Sequence, residues 1–367
     1  MKPLLQMATY VFLLANALPI ASAKGPEVDP SRLTIGRYQS RAILQGLERC
    51  ERKPAVILIP GSGANGPEEM MSADLSGDEK AHSIFAEYAR GLNRAGVVTL
   101  QLGKPGIEFH TGFDQKNWFY DKAMYEGLGW QGLIDNLSDA VDYLQAQPCV
   151  DSSRVYVLGH SEGTVVATDY AHRNPGRVKG LILVGFSGES LSTTVDWQFY
   201  RRSIDEFIAI DVDTNKDGAV SKTEAAPWPD FQWKFESDDD VATFAEIEAV
   251  LRADPAIQQV VQKLRTSKRW EGVYDRAPIY SQAASLREDL FVYTGALDVQ
   301  TRPGEAVKLG ETCRSVGKRN CEVTIVPGLG HGMSLPRGPR RHKLLDLTLV
   351  PVEESFVEML SKLGARL

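Results

Sequence analysis

Three residue types able to carry acyl-transfer chemistry stand far apart in the 367-residue chain. The first is a serine in Gly159-His160-Ser161-Glu162-Gly163, a G-x-S-x-G pentapeptide. Residues 155–158 before it are β-preferring, and residues 164–171 after it read as the start of a helix. On so tight a strand-to-helix turn the serine Oγ is lifted clear of the sheet, and the flanking glycines let strand and helix pass closely. A serine hydroxyl needs a base, and the base needs an orienting acid. Of the six histidines, His331 is the best base, in a glycine-rich loop after an expected strand at 321–327. His160 adjoins the serine, but the turn should aim it away. His82 and His172 fall on expected helices, His342 lies in a basic segment, and His110 is the fallback. Asp298 leaves an expected strand at 289–295 in the manner of His331, although an aspartate there can also simply cap a turn.

Attack on a carbonyl creates an oxyanion, which needs preorganised N–H donors. One is expected from the Glu162 backbone. The other is expected from Ser62, in Gly61-Ser62-Gly63 after an apolar strand at 55–59. That loop lacks the Gly-Lys-Ser/Thr ending of a phosphate-binding P-loop.

A second chemistry is written into residues 213–224. Asp213, Asn215 and Asp217, then Gly218, Ala219, Ser221 and Glu224, match the EF-hand pattern for Ca²⁺ at every position. Hard oxygens come from positions 1, 3 and 5, the Ala219 carbonyl, Ser221 directly or through water, and Glu224. Pro227 should shorten the outgoing helix. Only one such loop is visible, which favours a structural ion over a sensor.

Several elements must position these residues. Short apolar strands at 55–59, 96–102, 155–158, 178–185, 289–295 and 321–327 alternate with helical patterns at 81–94, 131–146 and 342–363. This implies an α/β fold with a mainly parallel sheet and helices on both faces. Residues 32–50 read as weakly marked early strands. The expected organisation is a signal peptide at 1–23, a first core segment at 24–190, a helical cap at 191–285 and a second core segment at 286–367. In the cap, helices are expected at 197–210, 241–252 and 256–270. Its aromatics Trp197, Phe199, Tyr200, Trp228, Phe231, Trp233 and Phe235 suit an acyl pocket or, more simply, the cap's own core.

The signal reading rests on a basic start, an apolar stretch from Leu4 to Ile20 and Ala21-Ser22-Ala23. It implies a secreted or periplasmic protein in which disulfides form. Position favours Cys50 with Cys149 and Cys313 with Cys321 among the three pairings that four cysteines allow. The net charge of −7 argues against nucleic acid or an anionic membrane as the main partner. No later stretch is apolar enough to span a bilayer.

The Gly-His-Ser-Glu-Gly turn, the Pro60-Gly61-Ser62-Gly63 loop and the order Ser161, Asp298, His331 resemble the α/β-hydrolase superfamily, particularly secreted carboxylesterases and dienelactone-hydrolase-like or acyl-peptidase-like members. Pro60 stands where many members carry histidine. The resemblance covers most of residues 50–190 and 285–367. It implies the fold and the Ser-His-Asp triad roles but not the substrate, because this fold hosts many chemistries; the leading expectation is cleavage of small carboxylic esters without an organic cofactor. Peptide or thioester cleavage by the same triad is the first alternative. A non-catalytic calcium-binding protein on a hydrolase scaffold is the second.

Overall fold

A computed structural model describes residues 31–48, 50–71, 80–110, 117–228, 240–335 and 350–367. The expected signal peptide, His342, and the cap aromatics Phe231, Trp233 and Phe235 lie outside these residues.

Eight strands form the central sheet: β1 (Arg32–Ile35), β2 (Ser40–Gln45), β3 (Lys53–Ile59), β4 (Val98–Leu102), β5 (Val150–His160), β6 (Gly180–Val184), β7 (Asp289–Gly295) and β8 (Cys321–Val326). Their spatial order is β1-β2-β4-β3-β5-β6-β7-β8. The β1/β2 and β2/β4 pairs are antiparallel, and every later pair is parallel. Residues 55–59 of β3, 155–158 of β5 and 181–184 of β6 are continuous apolar runs because both faces are covered. Ile57, Val157, Leu183 and Val292 point into one core, shared with helices α2 (Trp130–Gln145), α3 (Glu162–Arg173) and α6 (Pro303–Ser315). Val56, Leu58, Leu158 and Ile182 point into the other, under α1 (Ile84–Arg94) and α7 (Glu354–Gly364). Cys50 is joined to Cys149, and Cys313 to Cys321.

Three local expectations change. His82 lies in a two-residue strand, His82–Ser83, and the helix begins only at Ile84, with Ser83 as its N-cap. The first cap helix runs further than expected, from Leu191 to Val212, with π-helical stretches at Trp197–Arg201 and Ile204–Val212. The last splits at Thr266 into α5 (Pro255–Arg265) and a 3₁₀ turn, Lys268–Trp270.

The middle cap segment holds the largest departure. Val241–Thr243 is a strand, and helix α4 starts only at Phe244 (Phe244–Ala253). The strand pairs antiparallel with Ala219–Ser221 of the calcium-type loop, Val220 facing Ala242. Residues 218–224 and 240–246 share one local pattern. Gly218 and Asp240 both take positive φ, at 83° and 58°. Lys222 N–H donates to the Asp240 carbonyl and Phe244 N–H to the Gly218 carbonyl, each at 3.1 Å. Each strand ends in a capping box, Ser221 with Glu224 and Thr243 with Glu246. In the sequence the same spacing puts Phe235 where Asp213 stands, and a phenyl ring offers no ligand oxygen. The helix that follows Ala219–Ser221, Lys222–Ala225, is a single turn ahead of Pro227.

Candidate active site

Ser161 sits between β5 and α3 with φ 54° and ψ −119°, a conformation few side-chain-bearing residues adopt. Its backbone N–H donates to the Val184 carbonyl at the end of β6, at 3.0 Å. The turn depends on two close approaches. A Cβ on Gly159 would lie 2.3 Å from the Gly163 carbonyl oxygen, and one on Gly163 would lie 2.4 Å from that of Ile59. Side chains there would push the helix off the sheet.

His331 and Asp298 meet over the residue that follows Val184. His331 Nδ1 is 2.8 Å from Asp298 Oδ2, and both side chains are buried. A carboxylate only accepts, so Nδ1 is the donor in this bond. Asp298 Oδ1 accepts the N–H groups of Gln300 and Thr301, at 2.8 and 3.0 Å, and Oδ2 also accepts from Thr301 Oγ1. The aspartate thus caps its turn and orients the imidazole at once. Gly185, at φ 60°, floors the imidazole: a Cβ on it would lie 2.9 Å from His331 Cε1. The fallback base His110 is elsewhere, buried against Trp118 with a centroid distance of 4.0 Å. Burial pulls its pKa down to about 4.

The Gly61–Gly63 loop lies against Ser161, and a Cβ on Gly61 would be 3.0 Å from Ser161 Cβ. Gly61 N–H is taken by Glu69 Oε1 at 2.8 Å. Ser62 N–H donates to no group of the described residues. Glu162 N–H is in the first helical turn, where no intrahelical carbonyl can meet it. Both remain open to an oxyanion.

Sequence reasoning missed the buried charges around this frame. Glu69 Oε1 also faces His160 Nδ1 at 2.9 Å, and His160 Nε2 lies 3.3 Å from the His331 carbonyl. So His160 is not idle: it ties the His331 loop to Glu69, which holds the Gly61 N–H. Burial opposes its protonation, but the charge and hydrogen bond of Glu69 outweigh this and raise its pKa. Lys104 Nζ donates to the carbonyls of Gly61 and Gly63, at 2.5 and 3.1 Å, and to Glu162 Oε1 at 2.8 Å. Trp270, in the 191–285 segment, donates to Glu162 Oε2 at 2.9 Å. Burial pushes the Glu162 carboxyl up, yet Lys104, Arg269 and these hydrogen bonds bring it below the usual range. In the 191–285 segment, buried Arg202 donates to Gln300 Oε1 at 2.7 Å, and burial lowers its pKa to about 10.

The model of the family described as serine aminopeptidase, S33 matches residues 126–335. The chain belongs to that family. The S33 match takes in Ser161, Asp298 and His331 but leaves Ser62, Glu69 and Lys104 upstream of it. With its mostly parallel eight-stranded sheet, this S33 chain has the α/β-hydrolase fold. It is 28% identical over 146 residues to esterase EstD of Thermotoga maritima, a stretch covering 40% of this chain and 30% of EstD. It is similar in structure to Est1E from Butyrivibrio proteoclasticus, at 14% identity and TM-score 0.47 over 92% of this chain and 98% of that one. A hyperthermophilic esterase from Pyrobaculum calidifontis aligns at 16% identity and TM-score 0.48 over 99% and 87%.

Proposed function

We propose that this protein is an exported serine hydrolase that cleaves small carboxylic esters through Ser161, His331 and Asp298. The observation carrying the reading is the convergence at the end of β6: Val184 holds the Ser161 backbone, and the next residue, Gly185, underlies the His331–Asp298 pair. Ser161 Oγ attacks the acyl carbon while His331 Nε2 takes its proton. The Ser62 and Glu162 N–H groups receive the oxyanion. The imidazolium then protonates the leaving alcohol, Asp298 holding its Nδ1–H. Water, deprotonated by the same nitrogen, releases the acid and restores Ser161.

The family's description favours a second reading, peptide cleavage. An aminopeptidase must also seat the substrate's terminal ammonium. Glu162, the carboxylate beside the nucleophile, is taken up by Lys104 and Trp270 at both oxygens, which supports the ester.

The 213–224 loop would take a structural Ca²⁺. Its donor chemistry fits: Asp213, Asn215, Asp217, the Ala219 carbonyl, Ser221 and Glu224 supply oxygens, and Gly218 makes the turn at φ 83°. Glu224 Oε1 now accepts the Thr214 and Asn215 N–H groups, at 2.9 and 3.3 Å, and Oε2 accepts from Ser221. Among the described residues no three His, Cys, Asp or Glu side chains converge as ligands, so binding requires Glu224 to exchange these partners for the ion. Two disulfides suit an oxidising compartment and support secretion or a periplasmic site.

The test is hydrolysis of p-nitrophenyl esters from acetate to palmitate by wild type and Ser161→Ala, with fluorophosphonate labelling of both. Activity and labelling lost together in the variant support the reading. Labelling without esterase activity moves the substrate to peptides or thioesters. Neither leaves a calcium-binding scaffold.

A further inference from the structure

Lys104 is buried and uses its full donor capacity, three N–H bonds, inside the protein. Two go to the carbonyls of Gly61 and Gly63, which bracket the Ser62 N–H. The third goes to the side chain of Glu162, whose own N–H is the other donor proposed for the oxyanion. One ammonium therefore spans both walls of the hole. The far side of the same carboxylate is held by the cap, through Trp270 Nε1 at 2.9 Å. Beside it stands Arg269, its guanidinium 4.3 Å above the Tyr125 ring.

We propose that Lys104 is a positioning residue of the oxyanion hole, and that Glu162 joins it to Trp270 so that hole and cap are set as one unit. This rests on the serine-hydrolase reading above. Lys104 has no donor left for a substrate, so its action goes through the two loops it ties. Peptide N–H groups act on an oxyanion only when already aimed at it, since rearranging them during the reaction forfeits their advantage. A cap that fails to seat leaves Glu162 Oε2 without its partner and the first turn of α3 less fixed. Substrate enclosure and oxyanion stabilisation are thereby coupled. Lys104 and Arg269 also balance the negative charge of Glu162, which would otherwise oppose the oxyanion.

The experiment compares wild type, Lys104→Met and Trp270→Phe on the p-nitrophenyl ester that wild type turns over fastest, with fluorophosphonate labelling and melting curves. Lys104→Met keeps the stem and removes the ammonium. The expected result is a kcat lowered about 100-fold, with KM within about twofold and Ser161 labelled more slowly. Trp270→Phe should lower kcat several-fold at unchanged KM. A folded Lys104→Met with wild-type kcat overturns the proposal, as does a loss confined to KM. Should Lys104→Met not fold, Trp270→Phe decides: lowered kcat supports the coupling and unchanged kcat overturns it. Wild type that fluorophosphonate does not label defeats the serine-hydrolase reading, and this inference with it.

Discussion

Asp298 holds His331 by Nδ1 at 2.8 Å while its other oxygen is fixed by two backbone N–H groups of its own turn. The carboxylate therefore cannot swing away from the imidazole without breaking the turn. Asp298→Asn would offer an amide N–H or a weaker acceptor to Nδ1 and favour the wrong tautomer. The expected outcome is a kcat lowered about 10⁴-fold with KM little changed, measured on the best p-nitrophenyl ester.

Gly185 carries a sharper geometric test. Alanine there must adopt φ 60° and place a methyl 2.9 Å from His331 Cε1. The imidazole is the group free to give way, so catalysis should suffer more than folding. Gly185→Ala is expected to lower kcat on the order of 100-fold. A variant that melts as wild type and turns over normally would show that His331 does not act from this position.

Glu305 gives a pH dependence with a definite sign. Its carboxyl is buried and accepts the Gly188 and Glu189 N–H groups, at 2.8 and 3.2 Å. Burial outweighs these bonds and raises its pKa to about 7. A group whose folded pKa lies above its unfolded value contributes stability that is complete below the unfolded pKa and is lost as pH rises through the folded one. The loss should therefore run from about pH 4.5 to about pH 7, on the order of 3 kcal/mol. Glu305→Gln keeps an acceptor without the charge. Melting curves should place it near wild type at pH 4.5 and above wild type at pH 8.

The calcium proposal is tested by melting temperature with and without chelator. Ca²⁺ should raise the wild-type value, since an ion that binds only the folded loop stabilises it. Glu224→Gln should abolish most of the response. A wild type indifferent to both Ca²⁺ and chelator would remove the ion from this protein.

What the sequence revealed was local in pattern. Ser161 announces itself because strand, turn and helix are contiguous, and Asp298 and His331 each follow an apolar run that reads as a buried strand. Glu69 and Lys104 carry no such mark. Each sits in a loop, and each becomes significant only when folding buries its charge against partners far along the chain, as Lys104 meets Glu162 across 58 residues. Trp270 reads as cap core until its N–H is found on Glu162. Val241–Thr243 reads as helix because residues 244–253 continue a helical period. Its strand exists only because Ala219–Ser221 lies opposite.

The Cys50–Cys149 bridge stands at the amino ends of β3 and β5, where Lys53 N–H donates to the Cys149 carbonyl at 3.0 Å. Gly61 and Ser161 leave the carboxyl ends of the same two strands. The covalent tie and the chemistry are thus separated by the length of the sheet. The bridge closes a segment of 99 residues, worth about 5 kcal/mol as a restraint on the unfolded chain. A reducing environment should therefore shorten the lifetime of the enzyme without altering the turnover of molecules still folded, so that redox state governs how long this protein works rather than how fast.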